Sequence, residues 1–300
     1  DGYYLSEGCI AALKQGKNET GKPVAFLTNF SGTRRSELTK NVNSFHAPVL
    51  METKPALKAV KNFFSFRDFK FKEMTNKELK LSEEAILLLE NNDVLQEADS
   101  MFVLKDLGFP VNDFVKINSK SDLEGYKNSF EYPVVLKTAA EGILHKADVD
   151  GVKLNIKDYD ELERAYTDMS NRLGNAAIVT KMLNYDLEVI FGMKTDQTFG
   201  PLVIIGAGGI YTELLNDKIV LLPESSREEI LQKLEALKTY RLLTGYRGSQ
   251  PVDIDRFVDI VMDFCQIVKY LSQWVKEIDI NPVAVVKDKI VALDSLIICK

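Results

Sequence analysis

The first 70 residues alternate between two hydrophobic patterns. Apolar residues spaced three or four apart predict amphipathic helices, and short continuous apolar runs predict buried strands. The helical pattern covers residues 5–16, 36–45 and 54–66, and the strand pattern covers 23–30 and 47–52. Helices that alternate with short apolar strands are typical of a parallel α/β layer. We therefore predict a partial α/β domain over residues 1–70.

A charged and poorly periodic stretch follows, which predicts a linker over residues 71–84. The pattern becomes regular again over residues 85–300. Ser121 is a candidate N-cap for a short helix there, because a serine oxygen can accept a hydrogen bond from the first helical turn. The main predicted strands are 133–137, 151–156, 176–182, 187–195, 201–209, 277–286 and 289–298, and the long predicted helices are 158–173, 226–237 and 253–274. This mixture predicts a second, larger α+β domain.

Charge and composition exclude several classes of function. The 300-residue chain has a formal net charge of −6 and scattered basic residues, so nucleic acid is not expected as a partner. No apolar run reaches the roughly 18 to 20 residues that span a bilayer, so we expect no membrane contact. The three cysteines lack metal-ligand spacing, which favours reduced thiols in the cytoplasm. Because the chain begins at Asp1, we expect a fragment of a longer polypeptide.

Lys137 ends the apolar strand YPVVLK. A buried ammonium without a partner would cost several kcal/mol, so we expect an anionic group to meet it. A phosphate would satisfy this need. A lysine whose head reaches water from a strand end would also explain the pattern.

Gly206, Gly208 and Gly209 follow a buried strand, where the chain can turn sharply because no side chains clash. Such a turn can present backbone N–H groups to anionic oxygens. The spacing is not that of a dinucleotide-binding fingerprint. Glu213 and Asp217 come just after it, four residues apart, and could serve a site or simply form a solvated helix face.

The final strands carry the strongest metal-binding pattern. Alternation in EIDINP places Glu277, Asp279 and Asn281 on one face of a strand. Asp294 lies within the apolar run IVALDSLII, so its carboxylate also needs a partner. Oxygen ligands on neighbouring strands suit Mg²⁺, which keeps several waters and also binds phosphates. A structural polar cluster is the alternative.

Four segments, read together, resemble the ATP-grasp domain of the ADP-forming acyl-CoA synthetases, the family that includes the succinyl-CoA synthetase β subunit. They are YPVVLK, GILHK, FGPLVIIGAGGIYTELLND and EIDINPVAVVKDKIVALD. The resemblance implies a two-lobed ATP-grasp domain over 85–300. Residues 1–70 resemble, more weakly, the last part of the adjacent flavodoxin-like CoA-ligase domain.

The resemblance implies roles for particular residues. Lys137 and Lys146 would meet the nucleotide phosphates, next to a turn containing Gly208 and Gly209. His145 would be a second phosphohistidine that passes phosphate to ADP. Further implied residues are Met182 and Leu183 on the adenine ring, Glu188 and Glu213 at acidic family positions, and Asn281, Asp294 and Asp279 around Mg²⁺. The implied cofactors are ATP or ADP and Mg²⁺, with CoA in the full-length parent.

This sequence departs from the family pattern on both sides of His145 and Lys146. Asp150 stands where the first of two glycines is usual, and residues 139–141 replace a serine-proline pair. A carboxylate in a phosphate-covering loop would repel the triphosphate. We therefore expect Asp150→Gly to tighten ATP binding, unless Asp150 lies outside the loop and faces Mg²⁺ or solvent.

The predicted function is the nucleotide-binding part of an ADP-forming acyl-CoA synthetase, whose partner would be a CoA-ligase domain or subunit. Alone, the chain should bind nucleotide without turnover. One alternative is a regulatory sensor module of a protein lysine acetyltransferase. Another is an ATP-grasp ligase that forms an acyl phosphate directly and would not need His145. The substrate acid, the choice between ATP and GTP, and the formation of a homo-oligomer stay open.

Overall fold

The computed structural model describes residues 4–29, 37–68, 78–140, 142–143, 146–185, 187–209, 217–245, 251–286 and 289–300. The chain divides into two compact units, Asp1–Glu73 and Met74–Lys300. Among the described helices, none combines the length and apolar character that a bilayer-spanning segment requires.

The first unit alternates helices with short strands. Its elements are α1 (Tyr4–Thr20), β1 (Phe26–Thr28), α2 (Glu37–Asn43), β2 (Val49–Met51) and α3 (Thr53–Asp68). Strands β1 and β2 are parallel, with Phe26 opposite Val49. The parallel pairing agrees with the α/β pattern of the sequence. Its assignment to a flavodoxin-like domain stays a prediction.

The second unit contains a small antiparallel sheet. Its strands are β4 (Phe114–Ile117), β5 (Val134–Thr138), β6 (Val152–Ile156) and β7 (Ala177–Lys181), in the order β4-β7-β5-β6. Helices α6 (Lys120–Gly125) and α7 (Tyr159–Leu173) bury Leu123, Leu162 and Met169 against it. The N-cap of α6 is Ser119, whose Oγ accepts from Asp122 N at 3.1 Å, so the prediction of Ser121 was wrong. The Asp122 carboxylate in turn accepts from Asn118 N and fixes the earlier start.

The second unit also contains a large antiparallel sheet with helices packed against it. The strands are β3 (Val94–Leu95), β8 (Leu187–Asp196), β9 (Gly200–Ala207), β10 (Lys218–Leu221), β11 (Val275–Val286), β12 (Lys289–Ala292) and β13 (Ser295–Cys299). The sheet order is β10-β9-β8-β11-β13-β3, with β12 paired to β11. The helices are α4 (Glu83–Asn91), α5 (Glu97–Asp106), α8 (Arg227–Glu235), α9 (Tyr240–Leu243) and α10 (Ile254–Leu271). Phe191 of β8 stacks edge to face on Phe109 and on Phe264 of α10, which fixes the centre of this core.

The strand predicted over 289–298 is broken in two. The register of β11 shifts between Ile280 and Val283, because Pro282 has no N–H to continue the ladder. Strand β13 pairs with β11 before the shift and β12 pairs after it. Asp294 therefore lies in the gap between β12 and β13 and not within a strand. The register shift in β11 and the gap between β12 and β13 lie next to each other, because Asn281 N donates to the Asp294 carbonyl at 3.2 Å.

Candidate functional site

A cleft of about 650 Å³ opens between the small sheet and the large sheet. Both sheets contribute to its walls, so it depends on the packing of the whole second unit. The lining includes Val135 and Lys137 of β5, Val152 and Leu154 of β6, the segment 182–185 after β7, and Pro282, Leu293 and Asp294. Lys137 and Asp294 place charge at one end, and Leu154, Met182 and Leu183 make the other end largely apolar, although Lys181, paired with Glu131, also lines it. This division suits an amphipathic ligand.

Lys137 is buried at the charged end of the cleft, with 9% of its surface exposed. Strand β5 lies between β6 and β7, so the Lys137 side chain projects from a face of the sheet. Its ammonium donates to Glu97 Oε1 at 2.7 Å and to the Leu293 carbonyl at 2.6 Å. The anionic partner expected from the sequence is thus present within the protein.

Lys146 joins the same cluster from the start of a short 3₁₀ turn, Lys146–Val149. Its ammonium lies 2.9 Å from Asp294 Oδ2 and 2.9 Å from Glu97 Oε2. The contact with Glu97 Oε2 is ionic, because its geometry does not satisfy a hydrogen bond. Asp294 Oδ2 also lies 3.8 Å from Lys137 Nζ. We call Glu97, Lys137, Lys146 and Asp294 the charged quartet.

The quartet shifts the pKa values of two of its members. Burial raises the pKa of the Glu97 carboxyl, and the charges of Lys137 and Lys146 oppose that rise. Burial acts to lower the pKa of Lys146, but Glu97 and Asp294 outweigh it, so the pKa is raised. Each buried charge is therefore stable only because its opposite is in contact with it.

Of the residues predicted around Mg²⁺, Asp294 belongs to the quartet, Asn281 N donates to the Asp294 carbonyl, and Asp279 interacts electrostatically with Asp294. Partial desolvation raises the pKa of Asp279, and the negative charges of Glu277 and Asp294 raise it further. In the ranges that the structure describes, no group of three or more His, Cys, Asp or Glu side chains is arranged for a metal. The oxygens of Asn281 and Asp294 nevertheless fit Mg²⁺, which needs few protein ligands when phosphates and water complete its shell.

The residues predicted at the adenine ring, Met182 and Leu183, line the apolar end of the cleft. The preceding strand is held by Asn112, which is 8% exposed. Its side-chain nitrogen donates to Thr180 Oγ1 at 2.6 Å and to the Lys181 carbonyl at 2.9 Å. This bonding fixes the path of the chain into the segment that would contact the base.

Glu188 of β8 and the two glycines that follow β9, Gly208 and Gly209, form a second group. Gly208 N donates to the Glu188 carbonyl at 2.8 Å, and a Cβ on Gly208 would lie 2.8 Å from Glu188 Cβ. Gly209 has a φ of +59°, and a Cβ there would lie 2.6 Å from Glu188 Oε2. Glu188 Oε1 accepts from the Tyr185 hydroxyl, which lines the cleft, at 2.9 Å. Burial and the Glu188 contact raise the pKa of Tyr185 to about 12.

Asp150 faces solvent on the small sheet, with its side chain 66% exposed. Its Oδ2 lies 2.5 Å from Lys153 Nζ and 3.7 Å from Arg172 Nη2 at the end of α7. Arg172 Nη1 also donates to the Val149 carbonyl at 3.2 Å. Lys153 and Arg172 balance the negative charge of Asp150 on the outside of the hairpin that β5 and β6 form. Gly151 beside it is tightly packed, since a Cβ would meet Thr138 Cγ2 at 2.6 Å.

His145 and Glu213 lie outside the described residues, so their predicted roles rest on the sequence. The sequence patterns did not single out four residues of the site, Glu97, Asn112, Thr180 and Tyr185. Glu97 gives no signal, because an acidic residue in the first helical turn is ordinary. Tyr185 lies between two predicted strands, 176–182 and 187–195, where a search for cleft residues could have included it.

Comparison with known proteins identifies the family of this fold. Residues 87–299 match the ATP-grasp domain family. The chain is 34% identical over 215 residues to the acetate–CoA ligase (ADP-forming) I subunit beta of Pyrococcus furiosus, covering 69% of this chain and 92% of that protein. It is 30% identical over 297 residues to acetate–CoA ligase (ADP-forming) I of Archaeoglobus fulgidus. That match covers 94% of this chain and 43% of the Archaeoglobus protein.

A solved structure with a similar fold is the dinucleotide-forming acetyl-coenzyme A synthetase 1 of Ca. Korarchaeum cryptofilum. It is described as a complex with coenzyme A and Mg-AMPPCP, with its phosphohistidine segment pointing towards the nucleotide binding site. The TM-score is 0.65 and the identity 28%, over 73% of this chain and all of that chain. These matches are to ligases, which favours the synthetase prediction over the acetyltransferase-linked sensor.

Proposed function

Because the chain belongs to the ATP-grasp family, together with the β subunits of ADP-forming acetate–CoA ligases, we propose that its cleft binds ADP and ATP with Mg²⁺. The observation that carries the proposal is the lining of one cleft by Lys137 and Asp294 at its charged end and by Met182 and Leu183 at its apolar end. A nucleotide has the same division, with an apolar base and an anionic phosphate chain.

The apolar end accepts the base. Met182 and Leu183 pack on the ring, and their backbone groups read its edge. Asn112 supports this contact because it anchors the Lys181 carbonyl just before the segment begins. Leu154, exposed on β6 beside the cleft, covers the opposite side of the ring.

The charged end accepts the phosphates. Lys146 exchanges its contact with Asp294 for contact with phosphate oxygens, and Lys137 adds a phosphate contact while it stays paired with Glu97. Asn281 and Asp294 would hold Mg²⁺. Asp279, which interacts electrostatically with Asp294, would add negative charge near the cation. When bound, Mg²⁺ would neutralise part of the negative charge of the phosphate chain. Positioning and charge compensation by the protein are the main contributions to phosphoryl transfer.

The phosphoryl group reaches ADP through His145. A nitrogen of its imidazole takes the group from a phosphohistidine on the CoA-ligase part. An oxygen of the ADP β-phosphate then attacks phosphorus, the N–P bond breaks, and the imidazole leaves in its original state. Glu213 orients the ring, and Lys146, next in sequence, balances the added charge. The overall reaction converts acyl-CoA, ADP and phosphate to the acid, CoA and ATP.

The test uses the full-length protein that contains this chain, with acetyl-CoA as the first probe. We expect ADP and phosphate to yield ATP only when an acyl-CoA is present. After incubation with γ-labelled ATP, the protein should carry labelled phosphate through an acid-labile and base-stable bond. The label should map to the peptide around His145. Formation of AMP and pyrophosphate from ATP would contradict the proposal, as would full turnover by His145→Ala with no label in that peptide.

A further inference from the structure

Glu97 is a buried carboxylate that contacts both candidate phosphate-binding lysines. It lies in the first turn of α5, and only 5% of its surface is exposed. Oε1 accepts a hydrogen bond from Lys137 Nζ at 2.7 Å, and Oε2 lies 2.9 Å from Lys146 Nζ. Although burial raises its pKa, two ammonium groups within 3 Å favour the charged form of the carboxylate. Burying a carboxylate is expensive unless opposite charges compensate it.

Within the charged quartet, the two carboxylates balance the two ammonium groups. Lys137 contacts Glu97 and lies 3.8 Å from Asp294, while Lys146 contacts both. The quartet therefore offers no surplus positive charge to an incoming phosphate chain. Asp294 is only partly buried, with 26% of its side chain exposed, whereas Glu97 is almost fully enclosed. A cation at the cleft can engage Asp294, but Glu97 stays paired with the lysines.

We propose that Glu97 makes nucleotide affinity depend on Mg²⁺, because it cancels lysine charge that metal-free phosphates would otherwise use. This inference rests on the proposed binding of nucleotide in the cleft. Glu97 acts through Lys137 and Lys146 and is a positioning and charge-balancing residue. A carboxylate that only stabilised the fold would leave the ratio of metal-free to metal-bound affinity unchanged.

The test is the substitution Glu97→Gln, which keeps the shape and one acceptor oxygen but removes the charge. In calorimetric titration of the 300-residue chain, metal-free ADP should bind about tenfold more tightly, as expected for one charge removed near an anion. Affinity for ADP in excess Mg²⁺ should rise less, because Mg²⁺ cancels part of the nucleotide charge. The Mg²⁺ dependence of binding should therefore fall.

Two variants serve as controls. Glu97→Asp keeps the charge and should keep the Mg²⁺ dependence, even if a shorter side chain lowers both affinities. Asp99→Asn removes a carboxylate from the same helix, where Asp99 pairs with Lys116, and should leave both affinities unchanged. Thermal unfolding of each variant confirms that it is folded.

The outcomes separate this inference from the function it rests on. If wild type binds ADP with Mg²⁺ and Glu97→Gln has the same Mg²⁺ dependence, or loses both affinities equally, Glu97 does not set the dependence. If wild type binds no nucleotide in either condition, the proposed function fails and this inference fails with it. A weaker Mg²⁺ dependence in both Glu97→Gln and Asp99→Asn would indicate a general charge effect and overturn the specific role.

Discussion

The Lys146 ammonium lies 2.9 Å from Asp294 Oδ2, although the two residues are 148 positions apart in the chain. One was predicted to contact phosphate and the other to bind Mg²⁺. In the structure the ammonium and the carboxylate are in direct contact. Binding of Mg²⁺ and nucleotide therefore has to replace this ion pair with contacts from both residues to the ligand, and the two binding events should be coupled.

Lys146 should be important for phosphate binding. Because its pKa is raised by Glu97 and Asp294, the side chain is charged at neutral pH. Lys146→Met should weaken MgATP binding by about tenfold or more, as expected for the loss of a charge-assisted contact. Lys153→Met is a matched control, since Lys153 pairs with Asp150 outside the cleft. Equal affinities of the two variants in calorimetric titration would show that Lys146 does not contact the phosphates.

Asp150 should have little influence on nucleotide affinity, contrary to the repulsion expected from the sequence. Its charge is met by Lys153 and Arg172 on the outside of the hairpin. Asp150→Gly should change the dissociation constant for MgATP by less than about twofold, since exposed ion pairs contribute little. Tighter binding by about tenfold would mean that the carboxylate does reach the phosphates.

Any side chain larger than that of glycine at position 208 should destabilise the fold. A Cβ there would meet Glu188 backbone and side-chain atoms at 2.8 to 3.0 Å, so β8 and the segment that follows β9 would have to move apart. Gly208→Ala should lower the free energy of unfolding by about 1–3 kcal/mol. Gly125→Ala is the control, because nothing lies within 4 Å of its position, and it should be neutral or slightly stabilising. Denaturant unfolding of both variants measures the difference, and equal stabilities would refute the packing argument.

Asp217 should stabilise the fold in a pH-dependent way. Burial would raise its pKa, but hydrogen bonds from Thr239 Oγ1, Thr239 N and Lys238 N lower it below the ordinary 3.8. The contribution is present above that value and is lost as pH falls through the lowered pKa. Asp217→Asn should cost about 1–2 kcal/mol at pH 7 and flatten the loss of stability in acid. Parallel pH profiles for wild type and variant would contradict this role.

The sequence predicted the need of Lys137 for an anionic partner but not the identity of that partner. The apolar run around Lys137 makes burial foreseeable, because adjacent strand residues are buried on both faces. Glu97 lies 40 residues away in a helix, and its burial results from tertiary packing that no local pattern encodes. Periodicity indicates which side chains are inside, and not which of them meet.

The end of the chain gives a second example. Alternation correctly places Ile278 and Ile280 in the core and leaves Asp279 and Asn281 accessible. The apolar run IVALDSLII also predicts one continuous strand through Asp294, because apolar residues flank the Asp294–Ser295 pair on both sides. The break arises from Pro282 on the partner strand, so it depends on the pairing register. That break places Asp294 at the cleft.

Calorimetric titration with ADP, in excess Mg²⁺ and in excess chelator, tests the central claim most directly. Wild type should bind MgADP more tightly than metal-free ADP. Asn281→Ala combined with Asp294→Ala should remove that difference, because both candidate metal ligands are lost, while Asp255→Ala, which breaks an exposed contact with Arg227, should retain it. If wild type shows no Mg²⁺-dependent affinity, or if the double variant keeps it, the cleft is not the Mg²⁺-nucleotide site.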